Sequence, residues 1–186
     1  MCGIVGYIGK KAIEQPTIRH TLDLMKNRGP DHQEYVHYVQ NGKNIFLLHS
    51  RLSIIDCDVR ANQPFVLEDC SLIFNGEIYN YIELREDLRK QGIECITTSD
   101  TEVLLRYYLL YGEDCVKYFE GMWVFAIYDK QNSKLFLSRD RFAEKPLYYC
   151  HTEDGFYYGS EIKFIRSLSG ISLTINQNHQ AIDMWS

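Results

Sequence analysis

Apolar and polar positions alternate between two periods along this chain. Gly3-Ile4-Val5-Gly6-Tyr7-Ile8-Gly9 is an apolar run broken by glycines, the pattern of a strand that another backbone approaches closely. Residues 17–26 switch to helical spacing, with Ile18, Leu22 and Met25 on one face. That helix must stop before the breaker-rich Asn27-Arg28-Gly29-Pro30-Asp31. Two apolar stretches, 35–39 and 45–49, flank Asn41-Gly42 and predict a hairpin. Leu72-Ile73-Phe74 reads as a short strand running into Asn75-Gly76.

Helical spacing returns over 81–90, with Gly92 as its stop, and over 101–111, ending at Gly112. Ser99 with Glu102 three residues on has the form of a capping box. Strands follow over 122–128 and 135–138 around a polar turn, then over 146–150 and 156–158. Ser160-Glu161 opens a short helix with Ile162, Ile165 and Leu168 on its apolar side. Strands outnumber helices and several are joined as hairpins. The expected class is therefore α+β, antiparallel sheet covered by helices, not a doubly wound parallel sheet.

Composition narrows the function. The chain has 186 residues, enough for one sizeable domain, and is 45% hydrophobic. Its net charge is −5, with no block of like charge, so neither nucleic acid nor a membrane surface is an expected partner. No apolar run approaches the roughly 20 residues of a membrane span, and the N-terminus lacks the order of a signal peptide. A cytoplasmic location is the expectation. Of the six cysteines, none forms a Cys-x-x-Cys pair, which argues against zinc-ribbon and thioredoxin chemistry. Most of the five internal ones are expected to be small buried hydrophobes.

Cys2 is the exception, because of its position. If Met1 is removed, its thiol and a free α-amine sit on one carbon. That amine has an ordinary pKa of about 7.7–8.0, so one residue can supply nucleophile and base. Five polar clusters accompany it. Arg28-Gly29-Pro30-Asp31 reads on its own as a turn with a surface ion pair. Arg51 ends an apolar strand and is either a sheet-rim arginine or a bidentate carboxylate clamp. Asn75-Gly76 is either a hairpin turn or an amide and a backbone N–H arranged as an oxyanion hole. Asp100 and Glu102 either favour a helix N-terminus or hold a substrate ammonium group. The fifth, Arg139-Asp140-Arg141-Phe142, has alternating charges suited to a solvated edge or a docking surface.

Taken in order, these clusters resemble a known family. Cys2-Gly3-Ile4, Arg28-Gly29-Pro30-Asp31, Arg51-Leu52-Ser53-Ile54-Ile55-Asp56, Asn62-Gln63-Pro64, Asn75-Gly76-Glu77-Ile78-Tyr79-Asn80, Ser99-Asp100-Thr101-Glu102 and Arg139-Asp140-Arg141-Phe142 span nearly the whole chain. They resemble the N-terminal glutaminase domain of glutamine-hydrolysing asparagine synthetases. Those are class II glutamine amidotransferases, members of the N-terminal-nucleophile (Ntn) hydrolases. The Arg-Gly-Pro-Asp and Arg-Leu-Ser-Ile wording looks like asparagine synthetase. Glucosamine-6-phosphate synthase and the purine amidotransferase differ there. One departure is Ala143, where the family usually has glycine after the phenylalanine.

The resemblance implies a four-layer αββα sandwich of two stacked antiparallel sheets flanked by helices. It implies that Cys2 attacks free L-glutamine, that Asn75 and Gly76 hold the oxyanion, and that Arg51 pairs with the substrate carboxylate. Asp100 and the Glu77 region would hold the ammonium. Losing one partner of such a desolvated pair should cost about 2–5 kcal/mol. Residues 1–168 would be the amidotransferase domain. Residues 169–186 would be an extension or the start of a linker to a synthetase domain, supplied in cis or in trans. The stretch 175–185 resembles such a linker. No cofactor or metal is expected in this domain. By the resemblance, ATP and Mg are expected only in the synthetase domain, and no Gly-rich loop precedes a helix here. A homodimer is a further expectation. Two rivals remain: a non-catalytic regulatory or channel module, if Met1 is retained, and a cysteine peptidase pairing Cys2 with His49 or His32.

Overall fold

A computed structural model describes residues 2–171. The expected extension therefore lies almost wholly outside the described residues, as does Met1. Chain order is β1 (Gly3–Gly9), α1 (Gln15–Met25), β2 (His32–Gln40), β3 (Lys43–Arg51), β4 (Phe65–Leu67), β5 (Cys70–Ile78), α2 (Tyr81–Lys90), α3 (Asp100–Tyr111), β6 (Gly121–Asp129), β7 (Lys134–Arg139), β8 (Tyr148–His151), β9 (Gly155–Gly159) and α4 (Ile162–Ser169). Two 3-10 turns, Val59–Ala61 and Gly112–Lys117, punctuate it. A five-stranded sheet has the order β2-β3-β1-β9-β8 and a four-stranded sheet the order β4-β5-β6-β7. Every recorded strand pairing is antiparallel.

The sheets stack, and strand alternation divides their side chains between layers. Val5, Tyr7, Phe46, Leu48 and Tyr157 face α1 and α4, where Ile18, Met25, Phe164 and Leu168 meet them. Leu72, Phe74, Trp123, Phe125 and Ile127 face the other way, onto Leu88 and the Val103–Leu105 stretch of α2 and α3. Between the sheets lie Ile4, Leu47, Ile73, Val124, Ala126 and Tyr158. This is the αββα sandwich. Both faces of the central strands are buried, so they read in sequence as continuous apolar runs rather than as apolar–polar alternation. Each fully buried large side chain contributes about 1.5–3 kcal/mol.

The turns follow local chemistry. Asn41 and Gly42 both take positive φ (51° and 69°), as a two-residue hairpin between right-twisted strands requires. Gly92 at φ 81° ends α2, with the Ile93 N–H returning to the Leu88 carbonyl. Among the described residues no helix is long and apolar enough to cross a membrane.

Some local expectations change. Asn75-Gly76 is no hairpin turn; it lies inside β5, opposite Val124 and Trp123. Phe164, not Ile162, takes the core side of α4 along with Ile165 and Leu168, and Ile162 is exposed. The capping box is half formed. Ser99 Oγ accepts from the Thr101 N–H, but the Glu102 carboxylate turns to the N–H groups of Ile96 and Thr97 instead of that of Ser99. Strand β4 carries too short an apolar run to be read from sequence. All six cysteines are free; Cys70 and Cys115 are buried, whereas Cys57 is exposed.

Ala143 sits at φ 57°, in the left-handed region that a Cβ disfavours. The departure from glycine is therefore a source of strain. Ala143→Gly should stabilise the protein by about 0.5–1 kcal/mol, read as a higher urea midpoint at unchanged slope.

Candidate functional site

The alternation that builds the core also builds the site. Ile4, Leu47 and Ile73 point between the sheets. Continuing each strand by even steps sends Cys2, Arg51 and Asn75 to the same side. There the interlayer space opens into a cavity lined by Cys2, Arg51, Leu52, Asn75, Gly76, Glu77, Asp100 and Lys145, among others. Cys2, Arg51, Asn75, Gly76, Glu77 and Asp100, the residues to which the resemblance gives roles, thus meet at one cavity, whereas Glu102, Arg28, Asp140, His49 and His32 do not line it.

Cys2 is held by main chain. The Leu52 N–H donates to its Sγ at 3.4 Å, and the thiol donates to the Leu52 carbonyl at 3.7 Å. Arg28 Nε donates to the Cys2 carbonyl at 2.8 Å, while its Nη1 pairs with Glu161 at 3.0 Å. Arg28 is therefore no surface partner of Asp31. Asp31 instead accepts from the Ser53 N–H at 2.7 Å. Gly29 lets these backbones cross, since a Cβ there would lie 2.4 Å from the Ser50 carbonyl. Burial pushes the Cys2 thiol pKa up, against the opposing pull of the Leu52 bond and the Arg51 charge. The resting thiol is protonated near neutrality.

Asn75 is 1% exposed, and its Nδ2 has no hydrogen-bond partner among the described residues. A buried donor left so costs about 1–3 kcal/mol. Gly76 completes the pair. Phe74 N–H donates to Gln63 and Ile78 N–H to Asp100, while Tyr79 N–H bonds back towards β6 through Glu120. By the same alternation the Gly76 N–H faces away from β6, between the other two, on the open edge of β5. A side chain at Gly76 is excluded, because its Cβ would lie 2.2 Å from the Met122 carbonyl.

Asp100 is the first residue of α3, with Ser99 as its N-cap. Its Oδ2 accepts from the Ile78 N–H at 3.1 Å. Burial raises its pKa to about 6, Glu77 adds to this, and its hydrogen bonds oppose it. Arg51 is 4% exposed. Nη1 donates to the Asp58 carbonyl (3.1 Å) and to Asn62 Oδ1 (2.6 Å). Nη2 donates to the carbonyls of Ile55 (3.4 Å) and Asp56. Its terminal nitrogens therefore clasp the 52–62 loop rather than standing free as a bidentate clamp.

Neighbouring charges brace these groups. Burial would raise the Glu102 pKa, but bonds from Thr97, Ile96 and Arg106 outweigh it and hold the carboxyl below its usual range. Asp140 is buried and accepts from the N–H groups of Trp123, Phe142, Glu144 and Lys145. It is neither solvated nor a docking charge; it shapes the loop that brings Lys145 to the cavity. His49 is buried and donates through Nε2 to the Phe74 carbonyl at 3.0 Å. Burial lowers its pKa to about 3, so it stays neutral. Neither His49 nor His32 bonds to Cys2, which removes support for the peptidase pairing. Among the described residues no cluster of metal-ligating side chains occurs.

The sequence pattern of the glutamine amidotransferase domain matches residues 1–184. The chain belongs to the glutamine amidotransferase domain family. A putative glutamine-hydrolysing asparagine synthetase of Methanocaldococcus jannaschii is 37% identical over 100% of this chain and 39% of its own length. A glutamine-hydrolysing asparagine synthetase of Bacillus subtilis is 40% identical over 98% of the chain and 28% of its own. This amidotransferase domain therefore spans well under half of those relatives. Among solved structures, glutamine phosphoribosylpyrophosphate amidotransferase of Bacillus subtilis shares the fold at TM-score 0.70 and 21% identity, over 91% of this chain and 44% of that one. An allosteric regulatory enzyme of purine biosynthesis does so at TM-score 0.74 and 18% identity, over 90% and 43%.

Sequence places Arg28 in a turn cluster and Lys145 beside the Arg139–Phe142 cluster without giving either a role at the site, and it does not point to Glu161 as a partner of Arg28. Arg28 and Glu161 are 133 residues apart, and no local pattern joins them.

The raised Asp100 pKa has a consequence for folding. Its stabilising contribution is full below the ordinary value of 3.8 and is lost as pH rises through about 6. Between those pH values Asp100→Asn should lack a fall in stability on the order of 2 kcal/mol that the ligand-free wild type shows. Urea unfolding of both proteins from pH 4 to 7 reads this difference.

Proposed function

We propose that this domain hydrolyses free L-glutamine to glutamate and ammonia through a γ-glutamyl thioester on Cys2. The observation that carries the reading is the Asn75 Nδ2, without a partner among the described residues, beside the outward Gly76 N–H in the cavity that holds Cys2. Two such donors suit a charge that exists only during reaction.

In this reading Met1 is removed, and the freed Cys2 amine takes the thiol proton as sulfur attacks the side-chain amide carbon. The raised thiol pKa makes such a base necessary. Asn75 and Gly76 hold the oxyanion. The amine returns its proton to the leaving nitrogen, ammonia departs, and a thioester remains. Water then adds, the thiol leaves, and glutamate is released. Arg51 binds the α-carboxylate; Asp100 and Glu77 bind the ammonium. The fixed pair of opposite charges selects a free amino acid over a glutamine within a peptide.

The relatives are named as asparagine synthetases, and this chain covers a minority of their length. The ammonia is accordingly assigned to an ATP-dependent synthetase domain that amidates aspartate or a related carboxylate. ATP and Mg act there, in cis or in trans.

Cys2→Ala should abolish ammonia release from glutamine while the circular dichroism spectrum is kept. Asn75→Ala should lower kcat about 10²–10³-fold with KM little changed. Full activity in protein whose mass shows retained Met1 would overturn the base assignment. KM should rise as pH falls through about 6, as Asp100 takes up its proton, and this rise should be absent in Asp100→Asn.

A further inference from the structure

The environment of Arg51 is unusual in what it withholds. The loop around the guanidinium carries Asp56 and Asp58, yet Arg51 takes only their main-chain carbonyls. Their carboxylates are committed elsewhere. Asp56 accepts from the N–H groups of Asp58 and Thr98, and Asp58 accepts from the Arg60 N–H and pairs with its side chain at 3.2 Å. The remaining partner is the neutral amide oxygen of Asn62, at 2.6 Å from Nη1. No carboxylate forms an ion pair with Arg51 among the described residues.

A guanidinium has five N–H donors. Here both Nη groups are occupied twice, always by neutral acceptors, and Nε–H is the donor with no hydrogen bond among the described residues. Neutral acceptors fix the plane of the group and leave its charge uncompensated. Asn62 is the one side chain in this set, so it is the point at which a single substitution can change charge without changing shape. Its own N–H is tied to the Val59 carbonyl at 3.0 Å, which holds it at the end of the 3-10 turn.

We propose that Asn62 is a positioning residue for recognition of the substrate carboxylate: its amide oxygen orients the Arg51 guanidinium while leaving the positive charge available. The inference rests on the reading that Arg51 binds the α-carboxylate. It adds that the neutrality of residue 62 is itself a determinant of specificity.

The decisive variant is Asn62→Asp, nearly isosteric but anionic. A carboxylate 2.6 Å from Nη1 would form a charge-assisted bond and compete with glutamine for the same cation. KM for glutamine should rise tenfold or more, with kcat within about twofold of wild type. Preference for glutamine over glutamine α-amide, which lacks the negative carboxylate, should shrink by a similar factor. Asn62→Ala, which frees one N–H but adds no charge, should raise KM only a few-fold. The melting temperature of Asn62→Asp should be unchanged or higher, since the new pair is satisfied. A purely structural role for Asn62 would lower melting temperature and kcat without altering that preference, and would overturn the proposal. Arg51→Ala, measured alongside, separates the two ideas. If it raises KM while Asn62→Asp does not, the role of Asn62 falls and that of Arg51 stands. If Arg51→Ala leaves KM unchanged, the carboxylate assignment itself is lost.

Discussion

Two sheets packed face to face, each backed by helices, constrain almost everything else in this molecule. Because both faces of the central strands are buried, each residue has one of two destinations, decided by parity. A one-residue slip of β1 against β3 would send the side-chain set to the wrong layer. The register that places Ile4 opposite His49 and Gly3 opposite Ser50 thereby places Cys2 at the mouth of the interlayer space. The same parity on β5 turns Asn75 inwards and the Gly76 N–H outwards. Packing, and not any local motif, makes three distant segments converge.

At that mouth the apolar filling between the sheets gives way to polar groups tied to main chain. Cys2 is tied to Leu52, Asp100 to Ile78, and Arg51 to the carbonyls of its own loop. Bonds to backbone leave side chains little room to reorient, so the cavity is rigid where a reaction needs fixed distances. The Arg28 bridge extends this rigidity by joining the Cys2 carbonyl to Glu161 at the start of α4. The five-stranded sheet and its covering helices thus meet directly behind the proposed nucleophile.

Much of this was legible in the residues. Glycine stops, the Asn41-Gly42 hairpin and the helical periods located the main elements, because those signals are local. The number of strands and their hairpin joints pointed to antiparallel sheet covered by helices, and the stacking of two sheets came from the family resemblance. Cys2, Arg51, Asn75, Gly76, Glu77 and Asp100 were named through the order of their motifs and each lies on the cavity, which Phe74, Met122 and Lys145 also line without belonging to those motifs. What local reading missed depends on partners far along the chain. Arg28 looked like half of an ion pair with Asp31 because sequence shows nearness only along the chain. Asp140 looked solvated because four N–H groups that fold round it leave no compositional trace. Asn75-Gly76 kept its turn reading because β6, which holds it in a strand, arrives some forty-five residues later.

The Asn75 side chain bears on how such a protein evolves. Over most of the chain local preference and global packing agree, which is the condition of a smooth folding landscape. At Asn75 they are opposed: among the described residues its buried Nδ2 has no hydrogen-bond partner. Drift towards greater stability alone would satisfy that donor early, with a neighbouring hydroxyl or carbonyl, improving the fold at the expense of the proposed oxyanion hole. On the proposed mechanism, a descendant with a higher melting temperature and a complete hydrogen-bond network at this one position would be a scaffold that had ceased to be an enzyme.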